Sequence, residues 1–235
     1  MNRSRFVGLM GVPLSILLSL AVADAQTVPA AKPQSTSVRT PVTIELNAAF
    51  RAAGEPFEKL TETAFDASWR VLDQTIGVAT AAAKKMYSSL SLAEAARLDA
   101  QLSAIRIARQ KQDRAGLALA SIEGYRVLVS AVTADAEVPT EVSLLDYAGF
   151  RYDADLKSKP VRWDDMVQAV AFARKTSEVL APKIASSALT ARVDKIILAM
   201  EQAANDRNTA RAASSVKSLL DLVDQLEKAF LVTNG

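Results

Sequence analysis

Apolar residues recur every three or four positions along most of the chain from residue 42 to residue 230. In one segment Leu72, Ile76, Ala79 and Ala83 form the apolar face, and Ser68 takes the one polar position on that face. A spacing near 3.6 residues places such side chains on one side of an α-helix, whereas a half-buried strand would alternate every second residue. The pattern therefore predicts an all-α protein.

Turn and capping signals divide this pattern into separate helices. Gly54 supplies a stop, and Pro56 suits the first turn of a helix. The sequence Ser-Leu-Ala-Glu at 91–94 is a capping box, and Asp113 and Asp164 are typical N-caps. The predicted helices span residues 42–53, 57–88, 92–111, 114–132, 140–157, 165–181, 188–204 and about 209–230.

Seven or eight helices joined by short connections favour an up-and-down helical bundle. Stacked helical hairpins are the alternative, although no repeat consensus supports them. The segments ARQKQDRAGLALAS and MEQAANDRNTARAAS both join two helices through an Asp-Arg pair. This echo reflects either an internal duplication or only the fact that Asp caps helices well.

The amino terminus has the three parts of an export signal. Arg3 and Arg5 precede an apolar run at 6–22, and small residues at Ala23 and Ala25 suit cleavage. We therefore expect a signal peptide over residues 1–25, removal near Ala25 and a location in the periplasm or outside the cell. An uncleaved signal that anchors the chain in a membrane is the alternative, and it is the only membrane contact expected.

The remainder of the chain divides into two parts. Residues 26–41 are rich in Pro, Ser and Thr and lack an apolar face, which predicts a disordered linker. Residues 42–235 are predicted to form a single helical domain.

Histidine and cysteine are both absent from the 235 residues. Their absence excludes Ser-His and Cys-His nucleophilic systems, haem attachment through C-x-x-C-H and thiolate metal sites. No cofactor motif is present, and we expect no enzymatic activity. The formal charge is +2, with 28 basic and 26 acidic residues, so no nucleic-acid partner is expected.

Polar and aromatic residues concentrate in two neighbouring segments, 113–132 and 141–157. Tyr125 and Tyr152 lie on the apolar faces of two successive helices, so we expect them to face each other in the core. A pocket lined by tyrosines, with an arginine to receive an anionic ligand, would follow. The candidate ligand-binding residues are Glu123, Tyr125, Arg126, Asp146, Tyr147, Arg151 and Tyr152.

The acids of these segments also suggest a metal site with oxygen ligands, for which the candidates are Glu123, Asp146 and Asp153. Asp146 and Asp153 are two helical turns apart, ~10.5 Å along the axis, so they cannot bind one ion directly. Ordinary ion pairs along the helix surface are the competing interpretation. These pairs would be Glu123 with Arg126, Arg151 with Asp155, and Asp153 with Lys157.

Two hypotheses of function follow. The first is an exported, periplasmic, non-enzymatic helical bundle that binds a partner protein or a small ligand. A large exposed apolar surface on the folded bundle would favour it. The second is a metal-handling bundle with carboxylate and tyrosine ligands, which requires at least three of those oxygens to converge on one point.

Overall fold

The computed structural model describes residues 40–133 and 136–233, which form eight α-helices and no strand. The helices are α1 (Pro41–Thr63), α2 (Trp69–Met86), α3 (Leu92–Lys111), α4 (Arg114–Ser130), α5 (Thr140–Lys157), α6 (Trp163–Leu180), α7 (Ser187–Asn205) and α8 (Thr209–Thr233). The predicted all-α bundle of seven to eight helices is confirmed. The expected signal peptide and nearly all of the expected linker lie outside the described residues.

The eight helices pack as two groups of four, α1–α4 and α5–α8, and α5 contributes side chains to the cores of both groups. In the first group α1 packs against α2 and α4, and α4 packs against α3. In the second group α5, α6, α7 and α8 close into a ring of neighbours, which is the packing of a bundle. Tyr147 and Phe150 of α5 enter the first core, whereas Leu145 and Tyr152 enter the second. No described helix is both long enough and apolar enough to cross a membrane.

The two groups repeat the same order of elements at a nearly constant offset. Trp69 begins α2 and Trp163 begins α6, an offset of 94 (163 minus 69). A short 3-10 turn follows each of these helices. Ser91 and Ser186 then cap α3 and α7 through their side chains, an offset of 95 (186 minus 91). The two groups therefore repeat the order of helices, turns and caps, although only the second closes into a ring.

The junctions α3–α4 and α7–α8 have the same backbone geometry. Gln112 and Arg207 both adopt the left-handed conformation, with φ of 54° and 50°. The residues that follow them, Asp113 and Asn208, each donate a backbone N–H to the carbonyl five residues earlier at 2.9 Å. Gln112-Asp113 therefore corresponds to Arg207-Asn208. The two Asp-Arg pairs of the sequence are not equivalent, since Asp113 caps α4 and Asp206 ends α7.

The first helical boundary differs from the prediction. Gly54 and Pro56 both lie inside α1, which continues to residue 63. A Cβ on Gly54 would stand 3.1 Å from the ring of Tyr125, so this glycine permits a close approach of α4. The break comes instead at residues 64–68. Ser68 accepts a hydrogen bond from the N–H of Val71 at 3.4 Å and caps α2 rather than joining its apolar face.

Burial explains why α1 tolerates an internal proline. Interrupting the backbone ladder at Pro56 costs about 3 kcal/mol. Phe50, Phe57 and Leu60 are almost fully buried along the same face of α1. Burial of each side chain stabilises the fold by roughly 1.5–3 kcal/mol. The sum for the three side chains is therefore larger than the cost of the proline.

Other capping predictions fared differently. The capping box of Ser91 and Glu94 is present, and Asp113 caps α4 by accepting from the N–H of Gly116 at 2.9 Å. The prediction for Asp164 is wrong, because α6 begins at Trp163, two residues before the predicted start, and Asp164 lies in its first turn. Its negative charge is still favourable there, next to the positive end of the helix dipole.

Candidate functional site

Three of the seven candidate ligand-binding residues meet between α4 and α5 in one hydrogen-bonded group. The Tyr147 hydroxyl donates to the carboxylate of Glu123 at 2.6 Å. Arg151 donates to the same carboxylate oxygen at 2.5 Å and to the Tyr147 hydroxyl oxygen at 2.8 Å. The group therefore fixes the register of two helices.

A fourth candidate, Arg126, closes this group from the other side. It pairs with the second oxygen of Glu123 at 2.7 Å, and its guanidinium lies 5.2 Å from the centre of the Tyr147 ring. The ring also packs edge-on against Phe172 of α6. Both oxygens of Glu123 are therefore engaged by side chains of this chain. The predicted ion pair between Glu123 and Arg126 is present, and the contacts favour this ion-pair interpretation over a ligand pocket at Glu123.

The environment of Tyr147 makes it a poor acid. Burial, followed by the hydrogen bond to Glu123, raises the pKa of its hydroxyl to about 12, although Arg151 works in the opposite direction. The phenol therefore keeps its proton at neutral pH and serves as a donor to Glu123. The hydrogen bond between Tyr147 and Glu123 therefore serves to join α5 to α4.

Asp155 extends the group into the interior. It is fully buried, and among the described residues neither of its side-chain oxygens has a hydrogen-bond partner. Arg162 lies 3.3 Å and Arg151 4.0 Å away. Burial nevertheless outweighs these two charges and raises the pKa of Asp155 to about 6. The predicted Arg151–Asp155 pair exists, but it is long and lies in the core rather than on the surface.

The two tyrosines expected to face each other lie in different cores. Tyr125 packs beside Gly54 of α1 in the first core. Tyr152 lies in the second core and donates its hydroxyl to the backbone carbonyl of Met200 in α7 at 3.0 Å. The expectation of a shared tyrosine pocket is therefore wrong. The face of α4 that carries Tyr125 packs against α1, whereas the face of α5 that carries Tyr152 packs in the second core, next to α7.

The three candidate metal ligands are also separated. Glu123 belongs to the group just described, Asp153 pairs with Lys157 at 2.6 Å as predicted, and Asp146 faces a different set of helices. Within residues 40–133 and 136–233, no group of three or more acidic side chains is arranged to hold a metal ion.

Asp146 instead lines an acidic recess between α1, α5 and α8. The recess encloses about 220 Å³. Its walls are Glu58, Glu62, Asp146, Phe150, Leu220, Asp221, Val223, Asp224 and Glu227. Burial, followed by repulsion from neighbouring acids, raises the pKa of Glu58 to about 7 and that of Asp146 well above its usual range. The pKa of Glu227 is raised in the same direction, first by burial and then by Asp224.

Two apolar recesses lie side by side at the end of the bundle where α1 begins and α8 ends. The first encloses about 380 Å³ and the second about 330 Å³. Both contain Ala136 and Glu137 of the α4–α5 connection, so they share a wall. Ile44 and Leu231 line the first recess and are about half exposed. Ile184, Leu189, Leu226 and Phe230 line the second.

The shared wall is held in place by polar contacts. Asn47 donates its side-chain amide to the Thr133 hydroxyl at 3.0 Å and accepts from the Thr133 N–H at 2.9 Å. Arg51 donates to the carbonyl of Val138 at 2.5 Å and to the Ser143 hydroxyl at 3.0 Å. These contacts tie both ends of the α4–α5 connection to α1. Glu227 lines both the first apolar recess and the acidic recess.

Sequence reasoning missed both kinds of recess, although one signal was available. Asp221, Asp224 and Glu227 follow one another at intervals of three, and Glu58 and Glu62 are four apart. Like charges at these spacings share a helix face and repel each other, so such a run is unfavourable without a further reason. The sequence carries no comparable signal for the apolar recesses. They form where α1, the α4–α5 connection, residues 183–189 and α8 meet, which only the packing of the helices determines.

Comparison of the chain with protein-family models, with curated proteins and with solved structures finds no match. The described residues define the class of the protein as an all-α helical bundle. Function therefore has to be argued from the recesses themselves.

Proposed function

We propose that this protein is an exported, non-enzymatic binding protein of the periplasm that captures an exposed amphipathic helix of a partner protein at its apolar end. The export signal predicted over residues 1–25 supports the location. The lack of histidine and cysteine supports binding rather than catalysis. The observation that carries the proposal is the pair of adjoining apolar recesses, bordered by the exposed side chains of Ile44 and Leu231.

The chemistry of the partner follows from this geometry. Two recesses with a common wall match two large apolar side chains on one partner segment, as on a helix with anchors one turn apart. Their volumes lie near the low end of the ~300–1,000 Å³ found for ligand pockets, which suits single side chains. Val42 and Val232 add exposed apolar surface beside them. The contacts of Asn47 and Arg51 prepare the wall in advance, which lowers the ordering cost of binding.

A displayed library of short random peptides, panned against the mature protein, tests this proposal. The selected peptides should carry two large apolar residues three or four positions apart. Ile44→Asp and Leu231→Asp should each weaken the best peptide by at least about tenfold, as expected for anchors at the centre of an interface. Neither variant should affect folding, since both side chains are about half exposed.

Matched controls come from the same chain. Ile107 and Leu198 have nearly the same exposure, 48% and 47%, as the 48% of Leu231, but they lie on α3 and α7 and line neither recess. Ile107→Asp and Leu198→Asp should leave the affinity within about twofold. Equal losses in tests and controls would contradict the proposal. So would a chain starting at residue 40 that binds peptides when the full mature chain does not, because the preceding segment would then be the occupant.

Export is tested separately. The protein, produced with its own leader in a Gram-negative host, should be recovered from the periplasmic extract with Gln26 as its first residue. N-terminal sequencing or intact mass establishes this. Recovery of the uncleaved chain in the membrane fraction would support the anchor instead.

A further inference from the structure

The described part of the chain contains three buried polar side-chain atoms without a hydrogen-bond partner, and all three lie in one contact. They are Nε of Arg151 and both carboxyl oxygens of Asp155, one helical turn further along α5. Asp155 is fully buried. Buried polar groups in folded proteins nearly always have a partner, because an unpaired one keeps the full cost of leaving water. The last turn of α5 therefore holds a carboxyl group in an unfavourable place.

The two arginines nearest to Asp155 direct their hydrogen bonds to other acids. Nε of Arg162 lies 3.3 Å from a carboxyl oxygen of Asp155 but donates to Asp165 at 2.8 Å. Arg151 lies 4.0 Å away and donates through Nη1 to Glu123 at 2.5 Å. Both arginines thus attract the carboxyl group of Asp155 without bonding it, whereas the two other acids repel it. These four are the charged groups that face it in the described part of the chain.

The α5–α6 connection, residues 158–162, follows Asp155 closely and is held by few contacts. Its backbone hydrogen bond to α5 runs from the N–H of Arg162 to the carbonyl of Asp155 at 3.1 Å. Lys159 and Pro160 are exposed. Segments with few buried contacts open locally at a lower free energy than the fold as a whole. Opening of this connection therefore gives the buried carboxyl group a route to water.

We propose that ionisation of Asp155 opens the α5–α6 connection and that protonation closes it, so that this end of the bundle is a pH-sensitive switch. In the closed form, burial is the largest effect on the carboxyl group and raises its pKa from 3.8 to about 6. In the open form water reaches the group, and its ordinary pKa returns. The closed form therefore holds the proton more tightly, and a rise in pH favours the open form.

Amide hydrogen exchange of the mature protein, followed by NMR and corrected for the intrinsic pH dependence of exchange, tests the proposal. The opening constant at the Arg162 amide should rise about tenfold from about pH 5 to about pH 7.5, as the two pKa values of Asp155 require. In Asp155→Asn the change should stay within about twofold, because the amide side chain does not ionise. Arg162→Gln removes the nearer positive charge, so it should raise the opening constant by at least about threefold at about pH 7.5 and by less at about pH 5.

Glu58→Gln is the control, because Glu58 makes the stability of the whole fold depend on pH. It should leave the response of the Arg162 amide unchanged. The amides of Ile122 and Leu128, in the core of α4, report unfolding of the whole protein. An equal rise in Asp155→Asn and the parent would overturn the proposal. So would an Arg162 amide that exchanges no faster than these core amides, because only global unfolding would then expose it.

Tryptophan fluorescence gives a second measurement of the same motion. Trp163 directly follows the connection and packs, partly exposed, against the second core. Trp69→Phe leaves it as the only tryptophan, because the chain has two. Quenching by acrylamide should then increase from about pH 5 to about pH 7.5, and adding Asp155→Asn should abolish the increase. Quenching that ignores pH, or that follows pH equally with and without Asp155→Asn, would contradict the switch even if the Arg162 amide exchanges too fast to measure.

Discussion

The hydroxyl of Tyr147 and the carboxylate of Glu123 lie 2.6 Å apart although 24 residues separate them in sequence, and their hydrogen bond joins α5 to α4. α5 is the element that both cores share. The bond therefore helps to hold the two four-helix groups together.

Tyr147→Phe should lower the free energy of unfolding by about 1.5–3 kcal/mol, because it removes a hydrogen bond to a charged, partly buried group. Tyr152→Phe is the matched control. Its hydroxyl donates to a neutral backbone carbonyl, so it should cost only about 1 kcal/mol. Urea denaturation of both variants measures the difference. An equal loss in the two would show that the charge of Glu123 adds nothing.

Substitution of glycine by alanine should have opposite effects on stability at Gly124 and Gly77. A Cβ on Gly124 would stand 2.6 Å from the ring of Phe57, which is fully buried, so Gly124→Ala should destabilise the protein by about 1–3 kcal/mol. A Cβ on Gly77 would meet nothing within 4 Å. Gly77→Ala should therefore stabilise α2 by roughly 1 kcal/mol. Thermal unfolding of both variants tests the pair, and a gain from Gly124→Ala would contradict the packing described between α1 and α4.

The stability of the protein should fall as pH rises from about 4.5 to about 7. The folded state raises the pKa of Glu58 from 4.5 to about 7, so between these values it holds more protons than the unfolded chain. Raising the pH therefore favours unfolding, by as much as about 3 kcal/mol for this residue. Glu58→Gln should flatten the profile, whereas substitution of the exposed Glu45, which is not among the acids that repel Glu58, should not. Urea midpoints across this range provide the measurement, and parallel profiles for parent and Glu58→Gln would refute the prediction.

Asp155→Asn should stabilise the protein at neutral pH, by about 1–3 kcal/mol. The neutral amide imitates the protonated carboxyl, which the folded state prefers below about pH 6. Arg162 keeps Asp165 as a partner at 2.8 Å, and Arg151 keeps Glu123. Near pH 4 the gain should disappear, because Asp155 is then protonated in the folded parent. A loss of stability at neutral pH would mean that the two arginine pairs outweigh the cost of burial.

The helices themselves could be predicted because each carries its own periodic apolar face and most carry a local cap. Ser91, Glu94 and Asp113 perform the roles expected of them. The boundary between α1 and α2 could not be predicted, since Gly54 and Pro56 signal a break in isolation. Only the neighbouring α4, which places Tyr125 against Gly54, favours a continuous helix.

The candidate site was harder to predict, for a related reason. Periodicity shows which side of a helix is buried, but it does not show which other helix covers that side. Glu123, Tyr147 and Arg151 could be placed in one set of candidates because they lie on two consecutive helices, but the hydrogen bonds among them depend on how those helices pack. Asp146 could not be grouped with Glu58 by the same reasoning, because 88 residues separate them (146 minus 58) and their meeting depends on the packing of α1, α5 and α8.

The position of Glu227 links helix docking to pH. Its side chain borders both the acidic recess and the first apolar recess. Burial, followed by repulsion from Asp224, raises the pKa of this carboxyl. A docked helix that buries the carboxyl further would raise the pKa again, and linkage then requires protonation of Glu227 to strengthen docking by the same free energy.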